Sequence, residues 1–165
     1  MGNKAKSNKG MVGWSLAFVG STILLVLATM PALVGEGFRT LLMLAFSGAC
    51  HQIAERSPHL AGVQLAVCHR CYGIYLALPL ASVAFLYLRR WDARLNRLAP
   101  VLICVALMVP GVDWLGDVFG LWQNTAPSRL LTGAFFGLVA GYFLSRALTS
   151  LFAMPEKSPL EPTIG

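Results

Sequence analysis

The chain alternates between long apolar runs and short polar breaks. Residues 11–35 carry no charge at all. A second run covers 69–88 and stops at Arg89-Arg90, and counting back about 20 residues from that pair reaches Cys68-His69-Arg70-Cys71. A third covers 98–117 and a fourth 129–152. Each is long enough to cross a bilayer as a helix, which needs about 20 residues. A secretory signal has an apolar core of about 7–15 residues, so the first run reads as a span and not as a leader. The pattern predicts an all-α protein, a four-span transmembrane helical bundle. Residues 36–49 are apolar but too short to span, and they predict an interfacial or loop-packed helix leading into a polar segment. Residues 1–10 and 154–165 are polar or proline-rich and predict disordered cytoplasmic tails, with 11–153 as one transmembrane domain.

Composition agrees, with 56% of residues hydrophobic and 12% charged. The net charge of +6 is not a nucleic-acid face, because the basic residues sit in clusters at the ends of apolar runs. Lys4, Lys6 and Lys9 precede the first run, and Arg89, Arg90, Arg94 and Arg97 follow the second. The positive-inside rule then places both termini in the cytoplasm, in a multi-pass protein of the cell (inner) membrane. Residues 36–68 and 113–129 face outward. The lipid bilayer is the expected partner. Gly133, Gly137 and Gly141 recur every fourth residue, a stripe that suits close helix packing within the chain or contact with a second copy or another membrane protein. Pro79 and Pro110-Gly111 should kink or open their helices.

The polar segment from Cys50 to Tyr75 holds three of the four cysteines and all three histidines. Cys68-x-x-Cys71 brings two thiols close together, and Cys50 can fold back onto them. With His51 as a fourth ligand the set is Cys₃His, which suits tetrahedral zinc. Two other readings stay open. An outward C-x-x-C at a helix start, with Arg70 between the thiols, has a lowered thiol pKa and could exchange disulfides with a substrate and pass the electrons to a quinone. Cys50 could also pair with Cys68 or Cys71 in a stapling disulfide. Tyr72 stands where a c-type haem site would have histidine. His59 follows Pro58 and reads as a solvated loop histidine. Cys104 lies mid-span and reads as a small buried apolar residue.

Opposite this segment, Asp113, Asp117, Asn124 and Arg129 fall at the outer ends of spans three and four. Glu55, Arg56 and Arg70 lie at the same depth. Asp113 suits an ion pair with Arg70 or Arg129, or a base beside the Cys/His site. Arg70 and Arg129 suit an anion clamp, because the guanidinium fork matches phosphate oxygens. Glu55, Arg56 and Asn124 are supporting candidates, and Asp117 reads as solvated.

Taken together, Cys50-His51, Glu55-Arg56-Ser57, Cys68-x-Arg70-Cys71-x-Gly73-Ile74-Tyr75, Asp113, Asn124, Arg129 and Thr132-Gly133 resemble a family of small bacterial and archaeal membrane proteins known as a domain of unknown function. The resemblance runs from about Ala49 to Gly137 and implies an inner-membrane protein of a few helices. His51 and Arg70 lie within its signature, whereas His59, His69, Asp117 and Cys104 do not. The function expected first is an extracytoplasmic metal site of Cys50, His51, Cys68 and Cys71, structural or acting on a lipid-borne or periplasmic substrate. Asp113, Arg70 and Arg129 would be its catalytic groups. The alternatives are a membrane thiol-disulfide oxidoreductase and a non-catalytic subunit of a larger complex.

Overall fold

The computed structural model describes residues 2–153, with side-chain surroundings from residue 10 onward. The tail expected at 154–165 lies outside the described residues. Six α-helices follow in order: α1 Gly2–Thr29, α2 Glu36–Ser47, α3 His69–Leu88, α4 Asp92–Arg97, α5 Ala99–Val118 and α6 Ala126–Ala153. Four of these segments are long and apolar enough to cross a membrane: Gly10–Ala32, His69–Arg97, Ala99–Val118 and Ala126–Ala153. The chain is thus a four-span helical membrane protein, with helix ends that differ in places from the apolar runs.

The differences have local causes. The first helix runs back to Gly2, where a disordered tail is expected up to residue 10. Extending a helix already nucleated by its apolar stretch fixes one residue per hydrogen bond, and Gly2–Gly10 contains no proline to stop it. Its far end comes sooner than residue 35. Pro31 turns the chain into a short 3₁₀ helix, Met30–Ala32. The Arg39 side chain then donates from Nε to Pro31 O at 3.0 Å, which ties the turn to α2. The arginine-rich connection after α3 is a 3₁₀ turn, Arg89–Trp91, followed by α4, and not a plain loop. Helix α3 continues through Pro79, and α5 through Pro110.

Helices α3 and α6 form the centre, and glycine sets their distance. A Cβ on Gly133 would overlap Arg70 O, one on Gly73 would overlap Leu130 O, and one on Gly137 would lie 2.6 Å from Ile74 O. The backbones touch, as small-residue interfaces in membranes require. Of the two roles open to the glycine stripe, this is packing within the chain, because Gly133, Gly137 and Gly141 are buried against α3. Helix α1 packs on this pair through Gly13, which faces Leu148 O, and through Trp14 Nε1, which donates to Ser82 O at 2.7 Å. Helix α5 lies against α6 and buries only Ala106 and Gly116, so most of its apolar surface faces the lipid. Cys104 is on that exposed surface, contrary to the buried position expected of it.

Candidate metal centre and the adjoining arginine cavity

The loop from Cys50 to Cys68 is held at both ends and in the middle. It opens from α2, where Cys50 N donates to Phe46 O at 3.0 Å. It closes on α1, where Ala66 N donates to Ala28 O at 3.1 Å. Between them Gln52, at φ 50°, takes a left-handed backbone that non-glycine residues rarely adopt. Its amide compensates by donating to Met43 O at 2.8 Å and to Ala66 O at 2.7 Å, and Gln64 Nε2 donates to Gln52 O at 2.7 Å. A two-stranded antiparallel hairpin, β1 His59–Leu60 and β2 Val63–Gln64, sets His59 opposite Gln64. Its turn, Ala61-Gly62, has φ of 52° and 78°, the double positive that a tight two-residue hairpin requires. No alternating apolar pattern marks these short strands, so the all-α reading missed them.

This clamp brings the thiols together. The sulfurs of Cys50, Cys68 and Cys71 all lie within 4.8 Å of one another. Cys50 and Cys68 are buried, Cys71 partly so, and all four cysteines are free. Ala28, Phe46, Ala66 and Val67 pack around them, with Tyr72 and Tyr75 from α3 closing one side. Cys68 precedes the first turn of α3, and its N–H donates to Cys50 Sγ at 3.1 Å. Hydrogen bonds from the Cys50 and Cys71 thiols draw the Cys68 thiol well below its usual pKa range. Neighbouring sulfurs are the cause here, where the sequence points first to the helix dipole and Arg70.

His51 lies outside this sulfur group. Its ring is exposed, and Nδ1 accepts from Ile53 N at 3.3 Å. His69 is turned away, with Nδ1 in a 2.8 Å hydrogen bond to Arg56 O. His59 is exposed on its strand, as expected.

Beside the thiols lies a cavity of about 320 Å³, bounded by Cys68, His51, Ile53, Arg56, Arg70, Trp114, Asn124 and Arg129. Four elements meet here: the loop, the start of α3, the end of α5 and the start of α6. Two arginines are fixed by carboxylates of α5. Arg70 donates to Asp113 at 2.5 Å, and Arg56 to Asp117 at 3.2 Å. Asp117 also accepts from Asn124 N at 3.0 Å. Asp117 is therefore a structural anchor and not the solvated group expected. Asp113 is bound to Arg70 and stands outside the wall of this cavity, so it holds a guanidinium in place instead of facing the open space. Arg129 lines the cavity as expected, and Glu55 is exposed and does not. Trp114 and Gln52 are the residues that sequence reasoning missed. The only signal for Gln52 was its place beside Cys50-His51.

Comparison with known proteins places this chain in context. Residues 50–143 match the model of a family described as "Predicted membrane protein (DUF2085)". The match starts at the first thiol and ends in α6, so it contains every cavity residue. A protein of Methanocaldococcus jannaschii, "Uncharacterized protein MJ1492", is 28% identical over 99 residues, which is 60% of this chain and 63% of that protein. The match thus spans less than two thirds of the relative. No solved structure matches the chain.

Proposed function

This chain belongs to the DUF2085 family of predicted membrane proteins, and we propose that it carries an extracytoplasmic thiolate metal centre suited to zinc, in a multi-pass protein of the cell membrane with both termini in the cytoplasm. The observation that carries this reading is the meeting of three sulfurs, from positions 18 and 3 residues apart in the chain, within 4.8 Å of one another. Tetrahedral zinc with Zn–S bonds of about 2.3 Å sets its sulfurs about 3.8 Å apart, so the three thiols need little adjustment. The lowered pKa of Cys68 favours the thiolate form that a metal requires at that position, and the backbone N–H on Cys50 Sγ orients the second sulfur.

Cys50, Cys68 and Cys71 are the three thiolate ligands. His51 shares the cavity wall with Cys68, and its exposed ring is the candidate for the fourth place once it turns from Ile53 N. A bound ion would hold the loop on the bundle and supply a Lewis acid at the cavity edge. The chain's own part is to keep the sulfurs dry against Phe46 and Val67 and to orient arginines beside them. The orientation rests on the lysines in the first turns of α1 and the arginines of 89–97, which lie at the opposite end of the bundle from the thiols.

The test is elemental analysis of the detergent-purified chain, with free thiols counted on the same sample. About one zinc per chain is expected, lost in Cys50→Ser and in Cys71→Ser. Absence of metal with two thiols missing would replace this reading with a disulfide, and the search would turn to a quinone.

A further inference from the structure

We propose that the arginine cavity is a binding site for a phosphoryl group, carried either on a lipid headgroup or on a small soluble phosphate. The inference concerns the same region as the metal reading but does not require the metal. Charge is the first argument. Arg56, Arg70 and Arg129 bring three guanidiniums to one wall, whereas Asp113 and Asp117 each hold one arginine, which leaves Arg129 without an ion pair among the described residues. His51 adds a further nitrogen base.

Unmet hydrogen bonding is the second argument. Arg70 Nε and Asn124 Oδ1 are buried and have no hydrogen-bond partner, although both residues line the cavity. Buried polar atoms are nearly always paired in a folded protein, so these two leave hydrogen-bonding capacity beside the cavity that the chain itself does not use. The Asn124 amide supplies both a donor and an acceptor, which suits an oxyanion carrying a hydroxyl.

Helix direction is the third argument. Arg70 stands in the first turn of α3 and Arg129 in the first turn of α6, so two long helices aim their positive ends at the same space. A carboxylate has two oxygens and would engage only part of this set. A phosphoryl group presents three or more oxygens, and arginine forks match them in pairs. At about 320 Å³ the space suits a headgroup-sized ligand, near the lower end for small-molecule sites. Because Asp113 and Asp117 already fix Arg70 and Arg56, little side-chain freedom remains to be lost on binding.

The test is calorimetric titration of the full-length chain in detergent with two probes, inorganic phosphate and dihexanoyl phosphatidic acid, at constant ionic strength. Saturable binding of phosphatidic acid alone assigns a lipid-borne phosphoryl group. Binding of both probes assigns the phosphoryl group irrespective of its carrier. In either case Arg129→Gln should weaken affinity roughly tenfold or more, and Arg129→Lys less, since it keeps the charge without the fork. Zinc content should stay unchanged in both. If Arg129→Gln does not fold, Arg129→Lys and Arg56→Gln carry the comparison. No saturable binding of either probe to the wild-type chain, or affinity unaltered by these substitutions, overturns the proposal. A zinc-loaded protein that ignores both probes defeats this inference alone, and a metal-free one that binds phosphate defeats the metal reading alone.

Discussion

The two ends of the α3–α6 pair are built from similar parts and finished differently. At the end with the basic connection, Asp92 accepts from Arg146 Nε at 2.8 Å and from Tyr142 at 3.1 Å. One turn deeper, Ser145 donates to Ser82 at 3.0 Å. The groups close on one another, and among the described residues of this end only Thr149 Oγ1 is a buried side-chain polar atom without a partner. At the other end the same Arg–Asp chemistry recurs twice, yet it leaves Arg70 Nε and Asn124 Oδ1 without partners, a third arginine free of ion pairs among the described residues, and three thiols within 4.8 Å of one another. A polar cluster that satisfies itself holds helices together. One that fixes its charges and leaves donors over is prepared for something else.

This contrast depends on a shared spine, and the largest expected effect comes from breaking it. Gly133→Leu should abolish folding, because the backbone of α6 already touches Arg70 O and cannot retreat without parting from α3. Overpacking a tight core costs about 1–3 kcal/mol and sometimes more, and here the neighbour is backbone, which cannot turn aside. Size-exclusion profiles and thermal unfolding in detergent would report it. A Gly133→Leu protein as stable as the wild type would mean that the two helices are not in contact, and the comparison of their ends would fall with them.

The next effect separates the ends. Asp113→Asn removes the partner of a guanidinium whose side chain is 23% exposed, from a carboxylate only 13% exposed. The loss should be about 2 kcal/mol, as for a charged hydrogen bond with little access to water. It should also weaken phosphate binding, because Arg70 is then free to swing. Asp92→Asn at the opposite end should cost less, about 0.5–1 kcal/mol, since Asp92 and Arg146 are each about a third exposed and their charges are screened. Chemical-denaturation midpoints of the two variants should therefore differ, and only Asp113→Asn should alter binding. Equal losses and no binding effect would erase the distinction between a closing cluster and a prepared one.

The features that were legible in the sequence are those that follow from chain length and periodicity. The spans could be counted from Arg89-Arg90, and shared depth narrowed the partner of Asp113 to Arg70 or Arg129, of which the structure pairs it with Arg70. The glycine stripe was visible too, but whether α3 or a second copy would cover it depends on packing that a stripe does not encode. His51 illustrates a different limit. Adjacency to Cys50 in the chain suggests a shared ligand site, but the left-handed backbone at Gln52 follows at once and the imidazole ends in the cavity wall instead of among the sulfurs. Asp117 was undervalued because its partner, Arg56, is 61 residues away and comes from a loop with no periodicity. The hairpin at 59–64 escaped because its strands have two residues each, too few to alternate.

The smallest expected effect tests the thiols themselves. All four cysteines are free, so position alone separates three of them from the fourth. Cys104 sits mid-way along α5 on its exposed surface, between the equally exposed Ile103 and Val105. Its sulfur meets the lipid in place of the core, so Cys104→Ala removes no packed neighbour and should change stability by less than about 0.5 kcal/mol. Metal content should be unaffected. Cys50→Ala makes a similar chemical change where the sulfur is buried and accepts the Cys68 N–H, and it should remove the metal and release the loop from α1. Measured side by side by elemental analysis and thermal unfolding, the pair shows whether the thiols at the cavity act as a set. A Cys104→Ala chain that lost metal, or a Cys50→Ala chain that kept it, would place the ion elsewhere and leave the three sulfurs as ordinary buried side chains.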